Sequence, residues 1–154
     1  IKFSTDATME FHLNDFQDKQ SLASKISQIT FNGGNTYTDK ALRMVRTDGL
    51  TAAHGSRAGQ GVPQIVVVLT DGGSSNPDST ESELKLFHAE NYIVFAIGVE
   101  TKDLKMDELH AIASEADNVF SVDNPDGLLE IRKKLLTRLC TQSNKATSLM
   151  KKKP

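Results

Sequence analysis

A single cysteine, Cys140, is all the thiol chemistry in this chain of 154 residues. That excludes an internal disulfide and a cysteine zinc cluster. Two readings stay open: a buried, inert thiol near the end of a helix, or a bridge to a cysteine outside the chain. No apolar run approaches the roughly 20 residues that span a bilayer, so no membrane span is expected. Neither sign of charge dominates. The net charge is −2, which gives no electrostatic footprint for nucleic acid. The only basic run, Lys151-Lys152-Lys153, reads as a solvated tail or a junction to more chain. There is no Asn-x-Ser/Thr sequon, no G-x-G-x-x-G after a strand, no G-x-x-x-x-G-K-[ST] and no G-x-S-x-G elbow, so the usual nucleotide and hydrolase loops are missing. No signal peptide opens the chain, since Ile1-Lys2-Phe3-Ser4 reads at once as strand, as a mature or excised segment would.

What is present describes one soluble domain. Hydrophobic residues make up 38% and charged residues 25%, enough for a real core at this length. Met9, Phe11 and Leu13 alternate with Glu10, His12 and Asn14, the period of a half-buried strand. With Ile1 and Phe3 before it and Ser4-Thr5-Asp6-Ala7 as a turn, the start reads as an antiparallel hairpin. Leu22, Ile26 and Ile29 recur at helical spacing after the start signal at Asp18 to Ser21. Gly33-Gly34 stops that pattern, and a short helix from about Thr38 to Arg46 carries Ala41, Leu42 and Val45 on one face. Thr47 to Gly61 reads as a loop.

From Val62 onward strand and helix alternate. Ile65 to Leu69 is nearly unbroken in apolar residues, which predicts a strand buried on both faces. A helix over Ser79–Glu90 with Leu84 and Phe87 inward follows, then a strand over Tyr92–Val99 ended by Gly98 and polar residues. Met106, Leu109, Ile112 and Ala113 mark another helix, and Val119–Val122 a short strand. The last helix takes Asn124 as its cap, Pro125 in its first turn, and Leu128, Ile131, Leu135 and Leu139 as its inner stripe. The expected fold class is α/β: a doubly wound, mostly parallel open sheet with an antiparallel edge strand.

Asp71 carries the chemistry. It closes the apolar strand and is followed by Gly72-Gly73-Ser74-Ser75-Asn76-Pro77. A carboxylate at the end of such a strand sits where α/β sheets place their ligands. It is either a turn former or a hard oxygen ligand for Mg²⁺. Thr36 and Thr38 precede the short helix; Thr38 fits an N-cap better, because Asp39 follows in the first turn, which frees Thr36 to face a cation. Ser74 and Ser75 belong to a serine-rich loop that needs no ligand to explain it. Asp78-Ser79-Thr80-Glu81-Ser82 has the form Asp-x-Thr-x-Ser, but no apolar strand precedes it, so it reads as helix capping. His12, His54, His88 and His110 show no metal-ligand spacing and read as ordinary strand or surface histidines.

In order, the segments Phe11-His12-Leu13-Asn14-Asp15-Phe16, Gly33-Gly34-Asn35-Thr36-Tyr37-Thr38 with Ala41-Leu42, Val62 through Gly72, and Val94-Phe95-Ala96-Ile97-Gly98-Val99 resemble the von Willebrand factor A (VWA) domain of matrix proteins and collagens. The resemblance runs from Ile1 to about Cys140. It implies a Rossmann-like VWA fold with a metal-ion-dependent adhesion site. Three loops build that site: an Asp-x-Ser-x-Ser loop, a threonine matched by Thr36, and an aspartate matched by Asp71. Mg²⁺ or Mn²⁺ is held there and completed by a ligand carboxylate. Gly33, Gly34 and Gly72 would let the backbone turn near the ion, with Ser74 and Thr38 in support.

The chain departs from that pattern at its start. It begins at what looks like the family's second strand, so the expectation is an N-terminally truncated VWA domain over residues 1–140, followed by a polar, basic tail over 141–154. With the first strand and its Asp-x-Ser-x-Ser loop missing, Mg²⁺ binding should be weak and neighbouring strands should show unpaired edges. The family also implies a bridge from Cys140 to a cysteine outside the chain. The functional expectation is a secreted, non-enzymatic adhesion module whose partner is a protein, collagen or another matrix component. The competing readings are a structural or oligomerisation module with no working metal site, an α/β enzyme using Asp71, and an intracellular member of the same family.

Overall fold

The computed structural model describes residues 1–99 and 101–150. The basic run at Lys151–Lys153 lies outside them. The chain divides into two compact units, one of residues 1–56 with 74–83, the other of residues 57–73 with 84–154.

The first unit opens with a hairpin. β1 (Lys2–Phe3) pairs antiparallel with β2 (Ala7–Thr8), with Phe3 opposite Ala7. An antiparallel hairpin forms at the expected start, but its second strand is Ala7–Thr8, partly inside the expected turn, and the strand expected over Met9–Leu13 does not form. Instead the His12 amide donates to the Asp15 carboxylate at 2.8 Å, and the Leu13 amide donates to the His54 carbonyl at 3.2 Å. A side-chain turn and a loop partner thus satisfy backbone groups that a ladder would otherwise take. α1 (Lys19–Ser27) begins as read: Asp18 caps it, accepting from the Ser21 amide at 2.8 Å. Its apolar stripe is covered only in part: Leu22 is half-buried while Ile26 is 52% exposed.

α2 (Thr38–Met44) buries Ala41 and Leu42. Thr38 is not its cap. Tyr37 holds that position and makes no side-chain cap bond, while Thr38 is already helical and 1% exposed. The stretch read as loop is partly helical: a π turn at Val45–Gly49 and two 3-10 turns at Ala52–His54 and Ala58–Gln60. Local bonds, i-to-i+5 in the π turn and i-to-i+3 in the 3-10 turns, hold this glycine-rich polar segment in order.

The second unit holds the parallel sheet. β3 (Ile65–Thr70), β4 (Ile93–Val99) and β5 (Val119–Val122) run in that order, both pairings parallel. Gly98 lies inside β4 rather than ending it. α3 (Pro77–Ala89) continues from the first unit into the second, and α4 (Met106–Ile112) packs on β4. Asn76, not Asp78, caps α3: its side-chain oxygen Oδ1 accepts from the Ser79 amide at 3.3 Å. Phe87, Phe95, Leu109 and Ile112 are almost wholly buried, each contributing roughly 1.5–3 kcal/mol of transfer free energy. α5 (Gly127–Met150) starts at the Asn124 cap, whose side chain accepts from the Asp126 and Gly127 amides at 3.0 and 3.2 Å. Its stripe of Leu128, Ile131, Leu135 and Leu139 covers Phe95, Ile97 and Phe120.

Two expectations fail here. β3 is not buried on both faces: Val67 and Leu69 are 45% and 47% exposed while Val66 and Val68 are buried. The burial pattern of β3 alternates, one set of side chains facing the core and the other facing outward, and among the described residues β3 pairs only with β4. Cys140 is exposed on α5 rather than buried, because it follows Leu139 and so leaves the inner stripe.

Candidate functional site

Thr36 belongs to the first unit and Asp71 to the second. In the first unit the Thr36 backbone is clamped from one side. Its amide donates to the Ser75 hydroxyl at 2.8 Å, and its carbonyl accepts from the Ser75 amide at 2.8 Å and the Ser74 hydroxyl at 3.3 Å. Those bonds use the main chain and leave the Thr36 side chain out. Ser74 is 5% exposed and its hydroxyl also meets that of Thr80 at 2.7 Å. Its role is therefore to brace the Thr36 turn. Gly34 serves the same turn. Its φ is +128°, and a Cβ there would stand 2.4 Å from the Thr5 hydroxyl, which instead accepts from the Asn35 amide at 3.2 Å.

Next to Thr36 in the chain are two buried oxygens without a hydrogen-bond partner, Thr38 Oγ1 and Asp39 Oδ1. The other Asp39 oxygen accepts from the Ser79 hydroxyl at 2.6 Å. Asp39 is 6% exposed, a buried carboxylate that composition did not single out. Partnerless oxygens inside a folded unit cost free energy, and an all-oxygen set of this kind suits a hard dication.

In the second unit Asp71 follows β3 directly, and its side chain is exposed. The loop beneath it is tied at three points. The Thr101 hydroxyl donates to the Asp71 carbonyl, the Gly73 amide donates to the Asp103 carbonyl at 2.8 Å, and the Thr70 hydroxyl donates to the Gly72 carbonyl at 3.0 Å. All of these act on backbone or neighbouring residues. The Asp71 carboxylate is held out at the carboxyl end of a parallel strand, where α/β sheets take ligands.

The family model for the von Willebrand factor type A domain matches residues 1–134. The chain belongs to this family. A human collagen alpha-5(VI) chain is 32% identical over 143 residues, covering 93% of this chain and 5% of that one. The human von Willebrand factor A domain-containing protein 2 is 34% identical over 115 residues, 75% of this chain and 14% of the relative. The chain thus spans a small share of the relatives it matches. Proximal thread matrix protein 1 of the mussel byssus superposes with a TM-score of 0.79 at 28% identity, over 86% of this chain and 34% of that one. A second structure of that byssus protein, with zinc in its metal-ion-dependent adhesion site, gives a TM-score of 0.77 at 29% identity over 90% of this chain and 33% of that one. The chain thus shares the VWA fold with these proteins, and among the described residues no helix is long and apolar enough to cross a membrane.

Sequence reading missed one cluster. His12, Asp48 and His54 in the first unit converge, with one ligand atom of each lying within 4.8 Å of the others. Spacing could not show it, because the two histidines lie far apart in the sequence, His12 in a loop and His54 in a 3-10 turn.

Proposed function

We propose that the chain is part of an extracellular, non-enzymatic protein-interaction module that holds a ligand carboxylate through a divalent cation, Mg²⁺ or Mn²⁺. Its own contributions to that site are the Asp71 carboxylate and the Thr36 hydroxyl, with Ser74 bracing the threonine turn and the unpartnered Thr38 hydroxyl as a further oxygen of that segment. The observation that carries this reading is Asp71: an exposed carboxylate at the end of β3, on a loop whose backbone is held by Thr101 and Asp103. The kinship with collagen VI chains and a byssus matrix protein supports a matrix setting and a protein partner. One assigned carboxylate is few for Mg²⁺, which demands near-octahedral oxygen geometry, so its affinity for this chain alone should be weak. The exposed Cys140 thiol is available for a bridge to a cysteine outside the chain.

The test pairs two measurements on Asp71→Ala. Binding to immobilised collagen is followed with Mg²⁺ and with a chelator, and thermal unfolding is followed without metal. The loop bonds use the Asp71 carbonyl, which alanine keeps, so the melting temperature should hold while metal-dependent binding is lost. Binding that survives both the substitution and the chelator would favour the other reading, a structural module with no working metal site.

A further inference from the structure

We propose that His12, Asp48 and His54 form a second metal site, one that takes a borderline transition ion such as Zn²⁺ and is separate from the oxygen site at Asp71. The frame comes first. Asp48 lies in the π turn Val45–Gly49, and His54 ends the 3-10 turn Ala52–His54. Thr51 joins them: its hydroxyl donates to the Asp48 carbonyl at 3.0 Å, and its own carbonyl accepts from the His54 amide at 3.1 Å. The His12 loop is pinned to the same segment. The Leu13 amide donates to the His54 carbonyl at 3.2 Å and the Asn14 side-chain amide to the Ala53 carbonyl at 3.3 Å. Gly55 makes this approach feasible: its φ is +91°, and a Cβ there would lie 2.9 Å from the Asn14 amide nitrogen.

That frame stacks the two imidazoles, with centroids 3.7 Å apart and planes within 14°. His54 Nδ1 lies 2.9 Å from Asp48 Oδ1. His12 Nδ1 is buried and has no hydrogen-bond partner at all. A buried ring nitrogen with nothing to bind is the observation that points to a ligand. Zn²⁺ bonds of about 2.0–2.2 Å put ligand atoms about 3.3 Å apart in a tetrahedron. The cluster's ligand atoms lie within 4.8 Å of one another, so its widest pair must close by up to about 1.5 Å. His12 can turn without giving up a bond at Nδ1. Two imidazoles and one carboxylate favour Zn²⁺ and its neighbours over Mg²⁺, which takes oxygen. Three protein ligands leave a fourth position for water or a partner's side chain. Metal there would fasten the His12 loop to the 45–56 segment.

The experiment is a titration of the unmodified chain with Zn²⁺ in excess Mg²⁺, read by calorimetry and melting temperature, and repeated on His12→Asn, His54→Asn and Asp71→Ala. Binding should persist in Mg²⁺ and in Asp71→Ala. It should weaken in either histidine variant by more than the roughly 10–100-fold that a merely supporting residue is worth. Loss in Asp71→Ala with retention in both histidine variants would overturn the proposal and assign the zinc to the oxygen site. Should a histidine variant fail to fold, X-ray absorption on the zinc-loaded native chain still decides. Two imidazole nitrogens in the shell are expected, and an all-oxygen shell refutes the site.

Discussion

Arg46 grips the almost fully buried carboxylate of Glu83 with two nitrogens, Nε at 3.0 Å and Nη2 at 2.9 Å, both on Oε1. Arg43 Nε takes the other oxygen at 3.1 Å. Only 2% of the Glu83 side chain is exposed, against 23% for Arg46 and 58% for Arg43. The pair ties α2 and the following π turn to the first turns of α3 within the first unit. The asymmetry of burial fixes which partner matters more. Arg46→Ala strands a buried carboxylate that Arg43 alone must neutralise, and should cost toward the low end of the about 3–5 kcal/mol seen when a buried pair loses a member. Glu83→Met removes the buried charge and leaves two arginines that reach water, so it should cost less. Urea unfolding of both variants checks the order; an Arg46→Ala no worse than Glu83→Met would show that the pair is already solvated.

Glu115 supplies a pH dependence in the second unit. Gln142 Nε2 donates to it at 2.6 Å, and Lys145 and Arg138 lie at 3.4 and 3.2 Å. The Gln142 hydrogen bond chiefly, then the two cations, hold its carboxyl below the ordinary value of 4.5. A depressed carboxylate stabilises the fold above its unfolded value, and that contribution fades as pH falls through the lowered one. Glu115 is 42% exposed, so the effect belongs with surface pairs at about 0–1 kcal/mol. Glu115→Gln should therefore be slightly less stable than the native chain near neutral pH and equal to it well below 4.5. Denaturation midpoints at the two pH values measure this; a gap that widens in acid would reverse the sign and rule the account out.

The second unit was legible because its signals are local. The Leu128, Ile131, Leu135 and Leu139 stripe, the Asn124 cap and the run Ile65–Leu69 are each set by neighbours in sequence. The first unit was harder, since its order comes from partners far along the chain. Met9–Leu13 alternates like a strand, yet the partner of Leu13 is His54, so periodicity predicted a ladder that a loop replaced. Thr38 looked like a cap, and whether a hydroxyl before a helix caps it depends on where the first turn closes. Of the proposed metal ligands, Asp71 could be read from its strand end. The burial of Asp39 and the brace from Ser74 to Thr80 could not, because both depend on α3.

The open side of β3 gives the last prediction. Val67 and Leu69 are nearly half exposed, at 45% and 47%, and β3 has only β4 as a partner among the described residues. An apolar strand with a free edge is a template for pairing with a second copy. The chain should therefore self-associate as concentration rises. Val67→Lys with Leu69→Lys should suppress that association, seen as reduced light scattering, while the circular dichroism of the fold stays unchanged. The alternation within the strand supplies the control. Val66 and Val68, at 9% and 8% exposed, face the core. A lysine at Val68 would bury an unpaired charge at a cost of several kcal/mol, and should unfold the unit rather than solubilise it. If scattering is the same in the native chain and the double lysine variant, the exposed face of β3 is not the route to association.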